Sequence, residues 1–240
     1  MFYEPGKTDH GLPHDPFKAC VVPRPIGWIS TLSPEGIANL APYSQFNNLT
    51  FDPPYVMFSA NRLPSTAPKD SVRNAETTGV FCWSLATWDL RDAVNATSEH
   101  FEYGIDEFAR AGLETRNSTL PSLELALKDG SKKRVPMVKN SPINFECEYY
   151  STLRLPGNPP MGSVDVVIGK VIGIHIDEGA LTDGKIDVRK TLPIARCGYF
   201  EYAAVKETFE MQPPVDDVLM KVGLAGNTKG HRAMQDQMKE

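Results

Sequence analysis

Residues 23–60, PRPIGWISTLSPEGIANLAPYSQFNNLTFDPPYVMFSA, read as a strand, a tight turn, a polar crossover and a second, buried strand. In Gly27–Leu32, Trp28, Ile29 and Leu32 are apolar while Ser30 and Thr31 carry hydroxyls, which predicts a pleated segment with one wet face. Ser33-Pro34-Glu35-Gly36 is a turn: Pro34 presets φ for the second position and Gly36 suits the last, so the chain doubles back. From Ile37 to Phe51 small, polar and aromatic residues alternate, with Asn39, Ala41, Ser44, Gln45, Phe46, Asn47 and Asn48 in close succession. Such a stretch makes a poor core. Amides, hydroxyls and small residues on a strand suit a flat polar aromatic ligand that needs close backbone approach and several hydrogen bonds. Asp52-Pro53-Pro54 interrupts the sheet, and Tyr55–Ala60 is a near-continuous apolar run that predicts a strand buried on both faces.

Around this stretch, 240 residues with 41% hydrophobic and 23% charged side chains describe an ordinary globular chain, and a β-rich barrel of this size is commonly one domain. The formal net charge of −5, with both signs interspersed and no basic run, disfavours nucleic acid and polybasic membrane binding. No apolar run approaches the ~20 residues that cross a bilayer, and the first residues lack a signal-peptide layout, so a cytoplasmic protein is expected. Cys20, Cys82, Cys147 and Cys197 form no C-x-x-C pair, and three of them lie in apolar strand-like contexts that predict buried free thiols. His10 and His14 are four apart, but Gly11 and Pro13 between them oppose a helix, and no metal is expected.

Further along, Asp70–Gly79 predicts a short helix with Asp70 as N-cap and Gly79 as stop. Ser65, Thr66 and Lys69 before it fit either a solvated capping turn or a phosphate site, where hydroxyls, an ammonium and free N–H groups converge. Val80–Leu85 is a third strand, and helices are predicted over Thr87–Thr97 and Asp106–Ala111. Residues 118–134 read as an insertion ending in a charged hairpin tip, and Ile143–Leu153 alternates as a half-buried strand. Asp165–Asp177 is the strongest strand signal, with Gly169 and Gly173 marking a bend or bulge. His175 within it is a weak catalytic candidate, its apolar neighbours favouring a satisfied strand histidine.

The pattern Asn39, Ala41, Pro42, Ser44, Phe46, Asn47 leading to Asp52-Pro53-Pro54, with PRPIGWIST before it, resembles the flavin reductase-like proteins with an FMN-binding split β-barrel, the flavoredoxin and NAD(P)H:flavin oxidoreductase type. The likeness reappears at Lys69-Asp70-Ser71, Asp106-Glu107-Phe108 to Gly112-Leu113, Glu146-Cys147 and Leu192–Tyr202. It implies a mainly β Greek-key split barrel over residues 17–205 with a few short peripheral helices, an N-terminal arm over 1–16 and a C-terminal extension over 206–240 that is helical at most briefly. It implies non-covalent FMN reduced by NAD(P)H as a transient donor, a homodimer, and a partner oxygenase that receives reduced flavin. Tightly held FMN in an electron carrier, or a flavin- or haem-binding module without turnover, are the alternatives. On this likeness Ala41, Pro42, Tyr43, Ser44 and Asn47 meet the ring with Asn39, Phe46 walls it, and Ser59, Asn61, Lys69 and Ser71 serve the ribityl chain and phosphate, with Arg24 and Thr31 as further candidates. His100, Phe101, Tyr103 and Phe108 either line a substrate entrance or pack helices onto the barrel. Because the cofactor carries the hydride chemistry, no acid–base pair is required.

Overall fold

The structure is a computed structural model that describes residues 1–62, 66–212, 214 and 218–237. It comprises two compact units, Met1–Lys206 and Glu207–Glu240. In the second, helices Val218–Leu224 and Thr228–Gln237 pack against each other, more helix than the sequence reading allowed.

The first unit is mainly β, as expected, and is built on one antiparallel sheet. Its strands are β1 (Gly27–Leu32), β2 (Ala38–Tyr43), β3 (Phe46–Phe51), β4 (Pro54–Asn61), β5 (Val80–Ser84), β6 (Ile143–Leu155) and β7 (Val164–Ile176). Their order across the sheet is β2-β1-β5-β6-β7-β4-β3, so β2 and β3, consecutive in the chain, form opposite edges. The Ser33–Gly36 turn forms as predicted: Gly36 N–H donates to the Ser33 carbonyl at 2.9 Å and Gly36 takes φ +83°. Short helices α1 (Asp70–Thr78), α2 (Arg91–Ala96) and α3 (Glu107–Arg110) lie outside the sheet. Gly79 ends α1 in the left-handed region and the Asp106 side chain caps α3, both as predicted, whereas the N-cap of α1 is Lys69 and not Asp70.

Two apolar clusters share the sheet. One gathers Trp28, Leu32, Leu40, Cys82, Phe108, Leu123 and Met137, the other Ile29, Phe58, Val72, Phe81, Trp83, Cys147 and Val167. Alternate residues of β1 and β5 therefore enter different cores, and every residue of both strands is buried. This corrects the wet face expected for β1: the Ser30 hydroxyl donates to the Pro136 carbonyl at 2.6 Å, and Thr31 Oγ1 lies 3.3 Å from Asn39 Oδ1. β4 departs the other way. Val56, Phe58 and Ala60 are buried but Tyr55, Met57 and Ser59 are only partly so, because the strand lies next to an edge and covers one core.

β6 and β7 form a long hairpin with register shifts between Glu146 and Cys147 and between Tyr149 and Ser151, opposite Gly173 and Gly169. A Cβ at Gly169 would sit 2.3 Å from the Phe81 ring, so glycine there lets the second core close beneath the bend. The insertion joins the first core through Leu123 and carries the hairpin Glu124–Ala126 with Lys132–Arg134.

Candidate functional site

A cleft of about 120 Å³ opens where the outer edge of β2 meets the start of α1 and the segment 97–107. Asn39, Ala41, Pro42 and Tyr43 come from β2, Lys69, Asp70 and Ser71 from the α1 start, and Thr97, Ser98, Glu99, His100, Phe101 and Glu107 complete the lining. Its back wall is a buried polar chain. Asn39 Oδ1 accepts from Ser71 Oγ at 2.7 Å, while Asn39 Nδ2 donates to Glu107 Oε1 at 3.0 Å. Asn74 Nδ2 donates to Thr31 Oγ1 at 3.0 Å, and Glu107 Oε2 accepts the Leu40 N–H at 2.9 Å. The chain has one direction: Asn39 has spent its oxygen on hydroxyl donors, so its amide nitrogen needs an acceptor, and Glu107 provides it.

Glu107 also settles the edge of β2. Leu40 N–H points away from β1 and is taken by the carboxylate; by alternation Pro42 points the same way and has no N–H to offer. At Leu40 and Pro42 the outer edge therefore offers no free N–H to another strand. Burial raises the Glu107 carboxyl above its ordinary 4.5, against the Leu40 and Asn39 hydrogen bonds, which pull it down. Above 4.5 and up to the raised value the folded chain keeps a proton that the unfolded chain has lost, so stability falls as pH rises through that window. Glu107→Gln, which does not titrate, is expected to flatten that part of the stability curve, measured by urea unfolding over pH ~4 to ~7. The same slope in both proteins would contradict this reading.

At the other end Lys69 Nζ lies 3.1 Å from His100 Nε2. Burial lowers the Lys69 pKa and raises that of Asp70, the latter offset by Arg73 and Lys69. Burial pushes the Tyr43 hydroxyl well above the usual phenol range. A cation, a histidine, hydroxyls and the N-terminus of a nine-residue helix converge there, a donor set that fits a phosphate.

Of the residues predicted from sequence, Asn39, Ala41, Pro42, Tyr43, Lys69 and Ser71 are brought together in this cleft. Thr31 is buried behind it and acts through Asn39. Arg24 is committed to backbone carbonyls, of Ser44 at 3.1 Å, Lys18 at 3.1 Å and Val21 at 2.6 Å. Phe46 packs in the second core, stacked on Trp83 at 5.4 Å, and does not line this cleft. Ser44, Asn47, Ser59 and Asn61 also lie outside it: Ser59 N–H donates to the Gln45 carbonyl at 2.9 Å and Asn61 Nδ2 to the Met161 carbonyl at 3.4 Å. Ser65 lies outside the described residues. His100 and Phe101 do line the cleft, whereas Phe108 is core and Tyr103 stacks under Arg73 at 4.5 Å. Sequence reasoning missed Glu107, although the Asp106-Glu107-Phe108 run was in view; its signal was a carboxylate one residue inside a helix cap, beside an apolar anchor.

His175 is placed elsewhere. Its Nε2 lies 2.6 Å from Glu146 Oε1, and Glu146 also accepts the Thr119 and Leu120 N–H groups at 2.6 and 2.9 Å. Burial alone would raise the Glu146 carboxyl, but these amides and His175 outweigh it and hold it below the ordinary range. The pair anchors the insertion to the sheet, the structural role favoured over catalysis.

Compared with known proteins, residues 19–194 match the family model described as the flavin reductase like domain. The protein BH2278 of Halalkalibacterium halodurans is 31% identical, the alignment covering 81% of this chain and 87% of that one. Among solved structures, nitrilotriacetate monooxygenase component B from Bacillus cereus is 26% identical with a TM-score of 0.76, over 88% of this chain and 98% of that chain. A split barrel domain protein from Shewanella frigidimarina is 19% identical with a TM-score of 0.66, over 81% and 88% of the two chains, which shows the shared fold.

Proposed function

The chain belongs to the flavin reductase-like family of flavin-linked oxidoreductases, and on that premise we propose that it is an NAD(P)H-dependent flavin reductase supplying reduced flavin to a partner oxygenase. The observation that carries this reading is the partly desolvated Lys69 beside His100 at the start of α1, next to the β2 edge where Glu107 takes the Leu40 N–H. FMN, when bound, supplies the hydride-accepting ring. The protein's part is to hold and orient it. Lys69, Ser71 and His100 would take the phosphate, and the backbone of Ala41 to Tyr43 would face the polar edge of the ring. Asn39, fixed from both sides by Ser71 and Glu107, keeps β2 and the α1 start in register. Thr31 and Arg24 support these positions from behind, through Asn39 and the Ser44 carbonyl.

The reading extends to assembly and place. Leu49 and Phe51 on the β3 edge, with Tyr150, Leu153 and Leu155 at the end of β6, are exposed apolar side chains, and a homodimer would cover them. Asn47, Ser59 and Asn61, on the β3–β4 hairpin, would then face the subunit boundary. Residues 17–205 form the flavin domain on this account, with 1–16 an arm and 206–240 an extension. Among the described residues no helix is long and apolar enough to cross a membrane, and the four cysteines are free thiols, which suits a reducing cytoplasm.

A partner oxygenase is favoured by the likeness to a monooxygenase component B. In air, catalytic amounts of protein are expected to oxidise NADH or NADPH over many turnovers only when FMN is supplied. Oxidation that ignores added flavin while the bound flavin stays in place would instead mark an electron carrier.

A further inference from the structure

A second cavity, of about 260 Å³, shares no residue with the flavin cleft. It lies between Trp88 and α2 on one side and the hairpin of strands Ile194–Gly198 and Glu201–Ala204 on the other. Its walls are Trp88, Phe200 and Tyr202, above the buried Val94 and Ile194. The two sides are tied by backbone hydrogen bonds, Trp88 N–H to the Leu192 carbonyl at 2.9 Å and Ile194 N–H to the Ala86 carbonyl at 3.0 Å, so the slot is preformed.

The hairpin spends conformational energy to shape this slot. Tyr199 takes φ +45°, uncommon for a residue with a side chain, and Arg196 braces the turn by donating to the Tyr199 carbonyl and the Tyr202 hydroxyl. The result is that Phe200 stands 94% exposed at the rim, where packing gives no reason for an aromatic ring.

Among the described residues that line the slot, Arg91 alone is charged, while Asp89, Asp92 and Glu201 on the same segments are exposed to solvent. Arg91 lies 4.3 Å over the Trp88 ring, its Nη1 donating to the Trp88 carbonyl, and its carboxylate neighbour, Asp92, is 3.7 Å away and well solvated. Lys206 sits 5.5 Å from the same ring, and among the described residues neither it nor Arg196 pairs with a carboxylate. Flat apolar walls select a planar ring, and a stacked guanidinium with donors to spare selects an anion. The volume falls below the ~300 Å³ at which drug-sized sites begin, which favours a single ring over a peptide segment.

We propose that this slot is a second ligand site that takes a small planar aromatic carboxylate, its ring against Trp88 and Phe200 and its carboxylate on Arg91. The probe is benzoate, with benzyl alcohol and cyclohexanecarboxylate as partners that lack the charge or the flat ring. Trp28 is 0% and Trp83 6% exposed, so a ligand at the surface reports through Trp88, 42% exposed, in the intrinsic fluorescence; calorimetry gives a second readout. Titrations with and without saturating FMN separate this site from the flavin reading. Saturable benzoate binding that leaves the flavin absorption unchanged is expected, with both controls and Arg91→Gln weaker by about ten-fold or more. Phe200→Ala, at a side chain that packs on nothing, should weaken binding without loss of folding. Absence of saturable heat and fluorescence change, equal affinity for all three probes, or benzoate binding that FMN displaces would overturn the proposal.

Discussion

Asp165→Ala is expected to lower the free energy of unfolding by about 3–5 kcal/mol, because it leaves a largely buried guanidinium without its counter-ion. Asp165, at the start of β7, is 0% exposed and accepts from Arg62 Nε at 3.2 Å and Arg154 Nε at 2.7 Å through Oδ1. Its Oδ2 lies 2.9 Å from Arg62 Nε but is not aligned for a hydrogen bond, so proximity of charge holds that side of the pair. Arg62 does more than neutralise. Its Nη1 donates to the Thr66 carbonyl at 2.7 Å and its N–H to the Ser163 carbonyl at 2.9 Å, fixing the approach to Lys69. The variant should therefore also bind FMN more weakly. Asp165→Asn keeps an acceptor for Arg62 and should lose less. Urea unfolding with an unchanged slope and a lowered midpoint is the readout; a loss under about 1 kcal/mol would mean that Arg62 finds solvent easily, as surface pairs do.

Lys69→Ala is expected to weaken FMN binding by about ten-fold or more, since a charge-assisted contact to phosphate contributes about 1.5–3 kcal/mol. The site is partly desolvated, which lowers the Lys69 pKa and strengthens any anion held there. The sign follows: the ammonium is present below that lowered pKa, so FMN affinity should decline as pH rises through it, sooner than for an ordinary lysine. Lys128→Ala removes an exposed lysine that pairs with Glu35 away from the cleft and should leave FMN affinity unchanged. Equilibrium titration of apo protein with FMN decides the matter, and equal affinity in wild type and Lys69→Ala would remove Lys69 from the phosphate site.

What could be read from sequence followed local chemistry. The Ser33–Gly36 turn, the Gly79 stop and the Asp106 cap are set by residues within a few positions of each other, and all three formed. β6 announced itself by alternation, and β7 by length and β-branching. Burial was less legible because it depends on neighbours far along the chain. β1 reads as half-polar, yet its hydroxyls are buried against Pro136 and Asn39; β4 reads as a near-continuous apolar run buried on both faces, yet β3 beside it is the sheet edge and leaves one face open. The candidate site divides the same way. Asn39, Ala41, Pro42 and Tyr43 share the cleft with Lys69 to Ser71, since the family pattern tracks contiguous segments. Glu107 escaped because its partners are 67 and 68 residues away. Phe46 sits where Gly27 leaves room: a Cβ at Gly27 would come within 2.7 Å of its ring, a fit invisible without the sheet.

The direct test of the flavin account is to load the protein with FMN, remove oxygen, and add NADH or NADPH while following the oxidised flavin band. The account predicts that one or both nucleotides bleach the band within the first turnovers, and that re-admitted air restores it. A chain that cannot be loaded with FMN, or a loaded one whose band is unmoved by both nucleotides, would contradict it.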